Sequence, residues 1–195
     1  MRVVVGMTGA SGAVYGVTLL QVLRDLGVET HLVATENGLA VLKHEIGIAA
    51  DELGSYATRA HDNHDFFSPL ASGSFPVDAV CVVPCSMHTL ASIASGLGEN
   101  LLCRAADVAL KEARPLILVP RETPLSVVHL ENMLRAARAG ARVLPASPGF
   151  YHGPRTVDDL VFFVVGRVLD LLGLEHEVYR RWQGHQAGGI APPAN

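Results

Sequence analysis

The stretch Val3-Val4-Val5-Gly6-Met7-Thr8-Gly9-Ala10-Ser11-Gly12 decides the fold of this chain. Three β-branched residues in a row favour a strand, and the glycine-rich segment that follows them favours a turn. From Gly12 to Leu26 apolar side chains recur at helical spacing, and Gly27 then provides a C-terminal stop. A strand, a glycine-rich turn and a helix in this order are typical of the first unit of an α/β protein.

The same alternation of strand and helix continues along the chain. Further strands are predicted over 30–34, 79–83 and 116–119, with a fifth starting at 142, and helices over 36–47, 87–95, 101–113, 126–139 and 156–172. Residues 50–76 show no clear periodicity and are expected to form a long irregular crossover. We therefore predict an α/β fold of three layers, α/β/α, in which helices cover both faces of a Rossmann-like or flavodoxin-like parallel sheet.

The length of 195 residues fits a single domain. Residues 1–183 are expected to form that domain, and residues 184–195, with their Gly-Gly and Pro-Pro pairs, are expected to be a disordered C-terminal tail. Apolar residues make up 49% of the chain, which suffices for a sizeable core and for further surface buried in an oligomer.

The net charge and the cysteines narrow the possible partners and the compartment. A formal charge of −4 gives no global basic field for nucleic acid or an anionic membrane, so any anion site has to be local. No apolar run approaches the roughly 18 to 20 residues of a membrane span, and the first run is too short for a signal peptide. Cys81, Cys85 and Cys103 lack zinc-type spacing and predict reduced thiols in a soluble, cytoplasmic protein.

Ligands of an open parallel sheet bind beyond the carboxyl ends of its strands. The loops at that edge are Gly6–Gly12, Thr35–Asn37, Pro84–Thr89, Arg121–Pro124 and Ser147–Pro154. Each of them contains hydroxyl, basic, acidic or aromatic side chains, and we expect all of them to face one crevice.

The first of these loops suits two classes of ligand. Its glycines let backbone amides approach a phosphate or a flat ring next to a helix N-terminus. Gly9 and Gly12 match the last two glycines of a nicotinamide dinucleotide fingerprint, but the first would fall at Met7. The nearest acidic residue, Glu36, follows Thr35, and the Gly-Lys-Ser/Thr of a Walker loop is absent from the sequence. Dinucleotide and mononucleotide binding both stay open on this loop alone.

In the loop after the third predicted strand, Ser86 is a candidate helix cap as well as a candidate ligand-binding residue. Cys85 beside it could be a nucleophile, but no residue is evidently arranged to activate it. A structural thiol is therefore expected at Cys85.

Four cationic positions suggest a local oxyanion pocket. Arg104, Asp107 and Lys111 share a helical face, for which a solvated, salt-bridged stripe is the alternative. Arg167 falls within the apolar face of the last helix, so it needs an anionic partner or an escape to the rim. Arg121-Glu122 follows the fourth predicted strand, where it is either a structural ion pair or a source of a proton-transferring carboxylate.

No metal site is predicted. The run His61-Asp62-Asn63-His64-Asp65 resembles a metal cluster but lies in the irregular segment, and a hydrated loop is expected there. Asp158-Asp159 opens the last helix, where carboxylates suit the helix dipole. The next residues lack the further acid of the magnesium-binding motif of isoprenyl diphosphate synthases, so any prenyl chemistry should not follow that metal-dependent route.

Five motifs together resemble the UbiX-like flavin prenyltransferases, which are related to flavin-dependent cysteine decarboxylases. They are Gly6-Met7-Thr8-Gly9-Ala10-Ser11-Gly12, Pro84-Cys85-Ser86, Arg104-Ala105-Ala106-Asp107-Val108-Ala109-Leu110-Lys111-Glu112, Pro120-Arg121-Glu122-Thr123-Pro124 and Pro148-Gly149-Phe150-Tyr151-His152. The resemblance runs from about residue 2 to Trp182. It implies a transferase that joins the dimethylallyl group of dimethylallyl phosphate to N5 and C6 of reduced flavin mononucleotide (FMN). The product, prenylated FMN, would serve a partner decarboxylase of the UbiD type.

The same resemblance implies the site residues. FMN would be bound by Gly9, Ala10, Ser11, Thr35, Ser86, Met87, His88, Thr89 and Arg121. The prenyl phosphate would be bound by Lys111, Arg121, Tyr151 and Arg167, with support from Arg104 and Glu45. Glu122 would transfer a proton between phosphate and flavin, and Ser11 would hydrogen-bond near N5. The family forms closed homododecamers with sites at subunit contacts, which would explain why Arg104 and Lys111 lie outside the strand-end loops.

Three rival functions can be separated from this one. A flavin-dependent cysteine decarboxylase needs an early catalytic histidine and an Asn-rich motif, neither of which is recognisable here. A nicotinamide-dependent dehydrogenase is disfavoured, because the first glycine of the dinucleotide fingerprint is misplaced. A flavin-carrying delivery subunit for a decarboxylase would bind flavin without turnover.

Overall fold

The computed structural model describes residues 1–184. Its elements are β1 (Arg2–Met7), α1 (Ala13–Asp25), β2 (Glu29–Ala34), α2 (Glu36–Ile46), α3 (Ala50–Gly54), β3 (Arg59–His61), a 3-10 turn (Pro69–Ala71), β4 (Ala79–Cys85), α4 (Met87–Ala94), α5 (Leu101–Lys111), β5 (Leu116–Pro120), α6 (Val127–Arg138), β6 (Arg142–Val143) and α7 (Val157–Leu172). The tail predicted to be disordered lies, apart from Gly184, outside the described residues.

One parallel sheet of six strands organises the chain, in the order β3-β2-β1-β4-β5-β6. The strand order reverses between β1 and β4, because the chain first builds outward through β2 and β3 and then returns. The loops after β1 and β4 therefore diverge and open a crevice at the carboxyl edge of the sheet. The predicted single α/β domain with a Rossmann-like sheet is confirmed.

The central strand β1 shows why helices are needed on both faces of the sheet. Val3, Val5 and Met7 pack into the core that contains α1 and α7, whereas Val4 packs into a second core beneath α4 and α5. All four side chains are at most 1% exposed. Burial of a side chain of this size contributes roughly 1.5–3 kcal/mol, so the two cores together fix the position of the loop that follows β1.

The prediction of an irregular crossover over residues 50–76 is wrong. This segment contains α3, the edge strand β3 and the 3-10 turn, and β3 pairs with β2 from His31↔Arg59 to Val33↔His61. β3 has only three residues, of which two are exposed, so it shows neither an apolar run nor an alternation. Polar contacts hold it instead: His61 Nε2 lies 2.8 Å from His31 Nδ1, and Ser68 Oγ lies 2.8 Å from His61 Nδ1.

The helices begin and end at local capping signals. α7 starts with a capping box in which the Thr156 hydroxyl accepts from the Asp159 amide, and the Asp159 carboxylate accepts from the Thr156 amide. Gly47 ends α2 and Gly173 ends α7, both in the left-handed conformation. No helix in residues 1–184 is both long enough and apolar enough to span a bilayer.

Candidate active site

A buried hydroxyl joins the two loops that border the crevice. The Thr8 side chain, which is 2% exposed, donates to the Pro84 carbonyl at 2.8 Å and accepts from the Ser86 amide at 2.7 Å. The end of β1 is thereby connected to the start of α4. The sequence carries no local signal for this role of Thr8, because its partners lie more than 70 positions away.

Ser86 caps α4, as predicted. Its hydroxyl accepts from the Thr89 amide at 3.3 Å and donates to the Thr89 hydroxyl at 3.1 Å. Met87 is half-buried and His88 is exposed at the first turn of the helix. The positive end of α4 consequently faces the crevice, where it favours an anion.

On the other side of the loop after β1, the N-terminus of α2 packs against the end of β1. The Thr35 amide donates to the Met7 carbonyl at 2.9 Å, and the Thr35 hydroxyl accepts from the Gly38 amide at 3.1 Å. Gly38 has no room for a side chain, because a Cβ atom there would lie 2.6 Å from the Met7 carbonyl oxygen. Thr35 is therefore held against the end of β1, and Asn37 lies against Gly9, because a Cβ atom on Gly9 would be 2.7 Å from Asn37 Cβ.

Glu45 supplies the cap that α1 lacks. The N-cap residue Gly12 has a φ of 102° and no side chain, and the Glu45 carboxylate accepts from the Gly12 and Ala13 amides at 2.9 Å each. Burial acts to raise the pKa of Glu45, but hydrogen bonds from Ser11, Ala13 and Gly12 and the charge of Arg121 outweigh it. The pKa of Glu45 is therefore lowered, and a carboxylate stands at the mouth of the crevice.

Arg121 and Glu122 do not share partners. Arg121 Nε donates to the Ser11 carbonyl at 3.1 Å, which brings the loop after β5 against the loop after β1. The exposed Glu122 carboxylate accepts from the Thr123 amide at 3.0 Å. The pattern supports separate roles for the two side chains rather than a structural ion pair between them.

Tyr151 and Arg167 belong to a second group, on the outer side of α7. The Tyr151 ring contacts Phe163 at 5.7 Å, and Phe163 contacts Tyr179 at 5.2 Å, measured between ring centroids. Arg167 is not buried in the apolar face of α7: its side chain is 47% exposed and pairs with Asp170 at 2.8 Å. The expectation of a guanidinium within the apolar face is corrected, and the alternatives of an anionic partner and of an escape to the rim both apply.

Arg104 and Lys111 form a third group on α5. Arg104 pairs with Asp107 at 2.6 Å, so the alternative of a salt-bridged stripe holds for these two residues, and Arg104 also donates to the Ala71 carbonyl at 3.1 Å. Lys111 instead pairs with Glu112 at 2.6 Å, beside Gly73. Because α5 begins near the carboxyl edge and ends just before β5 starts, Lys111 lies at the amino edge of the sheet. One chain therefore does not bring Lys111 together with Arg121.

The structure thus divides the predicted residues into a crevice and two further groups. The crevice at the carboxyl edge contains Gly9, Ala10, Ser11, Thr35, Glu45, Ser86, Met87, His88, Thr89, Arg121 and Glu122. Sequence reasoning also missed Asp170, which joins Arg167 to Tyr179. The spacing of three residues between Arg167 and Asp170 is a signal that identifies such a pair on a helix.

The cysteines contribute no reactive thiolate to the site. All three are free and buried, and burial raises the pKa of the Cys81 thiol to about 12 and that of Cys85 still further. This burial agrees with the expectation that Cys85 is a structural thiol.

The donor set of the crevice fits FMN. Thr35 and Ser86 cap the N-termini of α2 and α4, and Arg121 adds a guanidinium against the Ser11 carbonyl, which together suit a phosphate. Gly9 is exposed and leaves its backbone open to a flat ring. These residues can bind a phosphorylated ring compound without a basic surface elsewhere.

Known proteins are similar in sequence to this chain over nearly its whole length. A family model described as Flavoprotein matches residues 1–169. The flavin prenyltransferase UbiX of Methanothermobacter thermautotrophicus is 49% identical over 182 residues, which cover 93% of this chain and 95% of the relative. A probable UbiX-like flavin prenyltransferase of Escherichia coli O157:H7 is 51% identical over 185 residues, which cover 94% of both chains.

Solved structures agree with the sequence matches. AnUbiX (PadA1), in complex with FMN and dimethylallyl pyrophosphate, matches with a TM-score of 0.93 and 47% identity over 95% of this chain and 98% of that one. A dodecameric FMN-dependent Ubix-like decarboxylase from Escherichia coli O157:H7 gives 0.92 and 51% over 94% and 100% of the two chains. The peptidyl-cysteine decarboxylase EpiD, at 0.63 and 16%, over 88% of this chain and 97% of EpiD, shares the fold alone. The chain therefore belongs to the flavoprotein family and, within it, to the UbiX-type flavin prenyltransferases.

Proposed function

We propose that this protein transfers the dimethylallyl group of dimethylallyl phosphate to reduced FMN, with bonds formed at N5 and C6 and with release of phosphate. The observation that carries the proposal is the convergence of Ser11, Glu45 and Arg121 at the carboxyl edge of the sheet. It is supported by relatives about 50% identical that are named flavin prenyltransferases, and by a similar structure that contains FMN and dimethylallyl pyrophosphate.

The crevice residues would hold the flavin. Thr35, the Ser86–Thr89 turn and Arg121 would bind its phosphate through hydroxyls, amides of α4 and a guanidinium. Gly9, Ala10 and Ser11 would line the ring system, with the Ser11 hydroxyl hydrogen-bonded near N5. FMN supplies the nucleophilic ring atoms, and the protein orients the two substrates and excludes competing water.

The cations would stabilise the departing phosphate. Cleavage of an allylic C–O bond leaves negative charge on the phosphate, and fixed positive charges lower the energy of that transition state. Arg121 would act from the crevice, Tyr151 and Arg167 from the group on α7, and Lys111 from α5, with Arg104 and Glu45 holding neighbouring groups in place. Because Lys111 and Arg121 lie at opposite edges of one sheet, we propose that a second copy of the chain completes the site.

Glu122 is proposed to transfer a proton between the phosphate and the flavin. Its carboxylate is exposed and accepts from the Thr123 amide, which leaves acceptor positions free. The neighbouring Arg121 would keep the phosphate within reach of that carboxylate.

The product is proposed to serve a UbiD-type decarboxylase, and the assembly is proposed to be a dodecamer like that of the similar structure from Escherichia coli O157:H7. The free, buried cysteines are consistent with a reducing cytoplasm.

Anaerobic incubation with reduced FMN and dimethylallyl phosphate, without added metal, tests the reaction. Mass spectrometry should show a flavin heavier by one isoprene unit and the release of inorganic phosphate. Unmodified flavin from a folded protein with flavin bound, with both the monophosphate and the diphosphate donor, would contradict the proposal. A cysteine-terminated peptide assayed in parallel distinguishes the cysteine decarboxylases of the related fold, which would release carbon dioxide from it.

A further inference from the structure

The carboxylate of Asp170 has four side-chain partners. It accepts from Arg167 Nη1 at 2.8 Å and from the Tyr179 hydroxyl at 2.8 Å through Oδ2. Oδ1 lies 3.0 Å from His176 Nε2 and 2.7 Å from Arg181 Nη2. Three of these partners follow α7 in the sequence, so one carboxylate fastens the segment 176–181 to the helix that carries Arg167. The side chain of Asp170 is only 15% exposed.

The contacts fix the direction of Arg167. Arg167 Nη1 lies 3.4 Å from the Tyr179 hydroxyl, so arginine, tyrosine and carboxylate form a closed triangle. The Tyr179 ring itself occupies the space beside Gly166, where any added Cβ atom would overlap it. The Arg167 side chain nevertheless stays 47% exposed, so the guanidinium is held on one side and presented to solvent on the other.

The same triangle continues to Tyr151 through aromatic contacts. Tyr179 meets the Phe163 ring at 5.2 Å with an interplanar angle of 64°, and Phe163 meets the Tyr151 ring at 5.7 Å and 79°. Edge-to-face pairs of this kind favour one relative orientation. The position of Tyr179 is therefore transmitted to the second residue proposed to bind the prenyl phosphate.

The charges indicate orientation rather than attraction as the purpose of Asp170. Two guanidinium groups, of Arg167 and Arg181, meet one carboxylate, so the group keeps a positive charge even with His176 neutral. A carboxylate next to a phosphate site weakens the attraction for the phosphate, and its benefit has to come from holding the cations in place. Hydrogen bonds keep Asp170 ionised: burial acts to raise its pKa, but Arg181, Tyr179 and His176 together lower it.

We propose that Asp170 is a positioning residue for the prenyl phosphate, which fixes Arg167 directly and Tyr151 through Tyr179 and Phe163. The inference rests on the proposed function, since it assigns a supporting residue to the same substrate.

Asp170→Asn keeps the shape of the side chain and removes its charge. We expect the KM for dimethylallyl phosphate to rise about tenfold, with the dissociation constant for FMN changed less than about twofold. Asp25→Asn is the matched control, because Asp25 is an exposed carboxylate paired with Arg24 at the end of α1. It should leave both constants unchanged.

A double-mutant cycle separates positioning from mere structural support. In an Arg167→Ala background, Asp170→Asn should raise the KM for dimethylallyl phosphate by only about two- to threefold, because the guanidinium is gone and only the route to Tyr151 through Tyr179 and Phe163 remains. An equal rise in both backgrounds, or an unchanged KM in the wild-type background, would overturn the proposal. Thermal unfolding and the oligomeric state are measured for each variant.

Tyr179→Phe provides the test if Asp170→Asn does not fold. It removes one hydroxyl and keeps the ring beside Gly166, and we expect a two- to fivefold rise in the KM for dimethylallyl phosphate, about the effect of one hydrogen bond. An unchanged KM in a folded Tyr179→Phe variant overturns the proposal. Absence of prenylated flavin from the wild-type protein would instead refute the proposed function itself.

Discussion

At the scale of single residues, two glutamates at one edge of the sheet have different surroundings, and we propose different roles for them. Glu45 is bound by the Gly12 and Ala13 amides, which lower its pKa together with Ser11 and Arg121. A carboxylate held in this way is a fixed negative charge that caps α1. Glu122 is exposed and has free acceptor positions, which suits a group that has to gain and lose a proton.

Glu122→Gln should retain FMN binding and slow prenylation. The amide occupies the same volume but cannot transfer a proton, so we expect the single-turnover rate to fall by about 100-fold or more. Rapid-quench mass spectrometry of the flavin measures that rate. Glu131→Gln, an exposed carboxylate on α6, is the control, and an unchanged rate for Glu122→Gln would remove Glu122 from the mechanism.

Arg167→Ala should weaken binding of the prenyl phosphate far more than binding of FMN. Loss of a charge-assisted hydrogen bond corresponds to roughly 10- to 100-fold in affinity, and Arg167 lies in a group separate from the crevice. Isothermal titration with FMN and the KM for dimethylallyl phosphate give the two values. Equal losses for both ligands, or general unfolding, would show that this arginine only supports the fold.

At the scale of elements, the contact between α2 and β1 positions the crevice. The Thr35 amide and Gly38 both lie against the Met7 carbonyl, so the N-terminus of α2 packs directly against the end of β1. A glycine is required at this point by close approach and not by its backbone conformation. The loop after β1 is consequently enclosed between α2 and α4.

Gly38→Ala should destabilise the protein by about 1–3 kcal/mol, because its Cβ atom would have to displace the Met7 carbonyl 2.6 Å away. The midpoint of urea unfolding measures this loss. Gly54→Ala is the matched control: the nearest atom to its Cβ is Ala60 Cβ at 3.8 Å, which is ordinary contact. Comparable stabilities of the two variants would show that α2 moves away without cost.

The sequence predicts the elements that carry their own signals and misses those that depend on distant partners. Apolar strands such as Ala79–Cys85 and capped helices such as Val157–Leu172 were predicted to within about two residues, because burial and caps are local patterns. β3 was not predicted, because the position of Arg59–His61 depends on the polar side chains of β2.

The polar edge around β3 predicts an acid-sensitive stability. Burial first, and then the charges of His31 and Arg59, lower the pKa of His61 to about 4 from 6.5. Between these two values the unfolded chain binds a proton that the folded chain does not, so the free energy of unfolding falls as the pH falls from 6.5 to 4. The slope for one proton is at most about 1.4 kcal/mol per pH unit.

Thermal unfolding by circular dichroism between pH 4 and 7 tests this dependence. His61→Gln should flatten the curve in the upper part of that range, whereas His44→Gln, an exposed histidine of α2, should leave it unchanged. Glu29 contributes only at the lower end of this range: its hydrogen bonds with Arg2 and His31 lower its pKa to about 2 from 4.5, so its contribution is present above 4.5 and is lost as the pH falls from 4.5 to 2. The two curves are therefore compared above the carboxyl range, where only the histidine titrates. Parallel curves for wild type and His61→Gln would contradict the assignment.

At the scale of the whole molecule, the topology separates residues that we propose to act together. Arg121 lies at the carboxyl edge, and Lys111 lies at the amino edge beside Gly73. The resemblance implies that both are site residues, and the predicted order of elements already puts Lys111 outside the strand-end loops. The structure adds the path of α5, which ends just before β5 starts and so places Lys111 at the edge opposite to Arg121.

Mixing two inactive variants tests whether the site spans two copies. Lys111→Ala and Arg121→Ala should each be nearly inactive alone, and co-expression should restore about a quarter of wild-type activity, because each site then draws its two residues independently from both kinds of chain. Prenylated flavin is measured on the purified mixed oligomer. No recovery from a mixed oligomer would place both residues on the same chain.

The hydroxyl of Thr8 has a consequence for how tightly the crevice binds its ligands. Since it already joins the ends of β1 and β4, little backbone is left to order when a ligand arrives, and the entropic cost of shaping the loops is met during folding. Affinity then follows the fit of the ligand to a preformed surface. Loss of the Thr8 hydrogen bonds would weaken the binding of every ligand of the crevice by a similar factor, whatever the chemistry of the ligand.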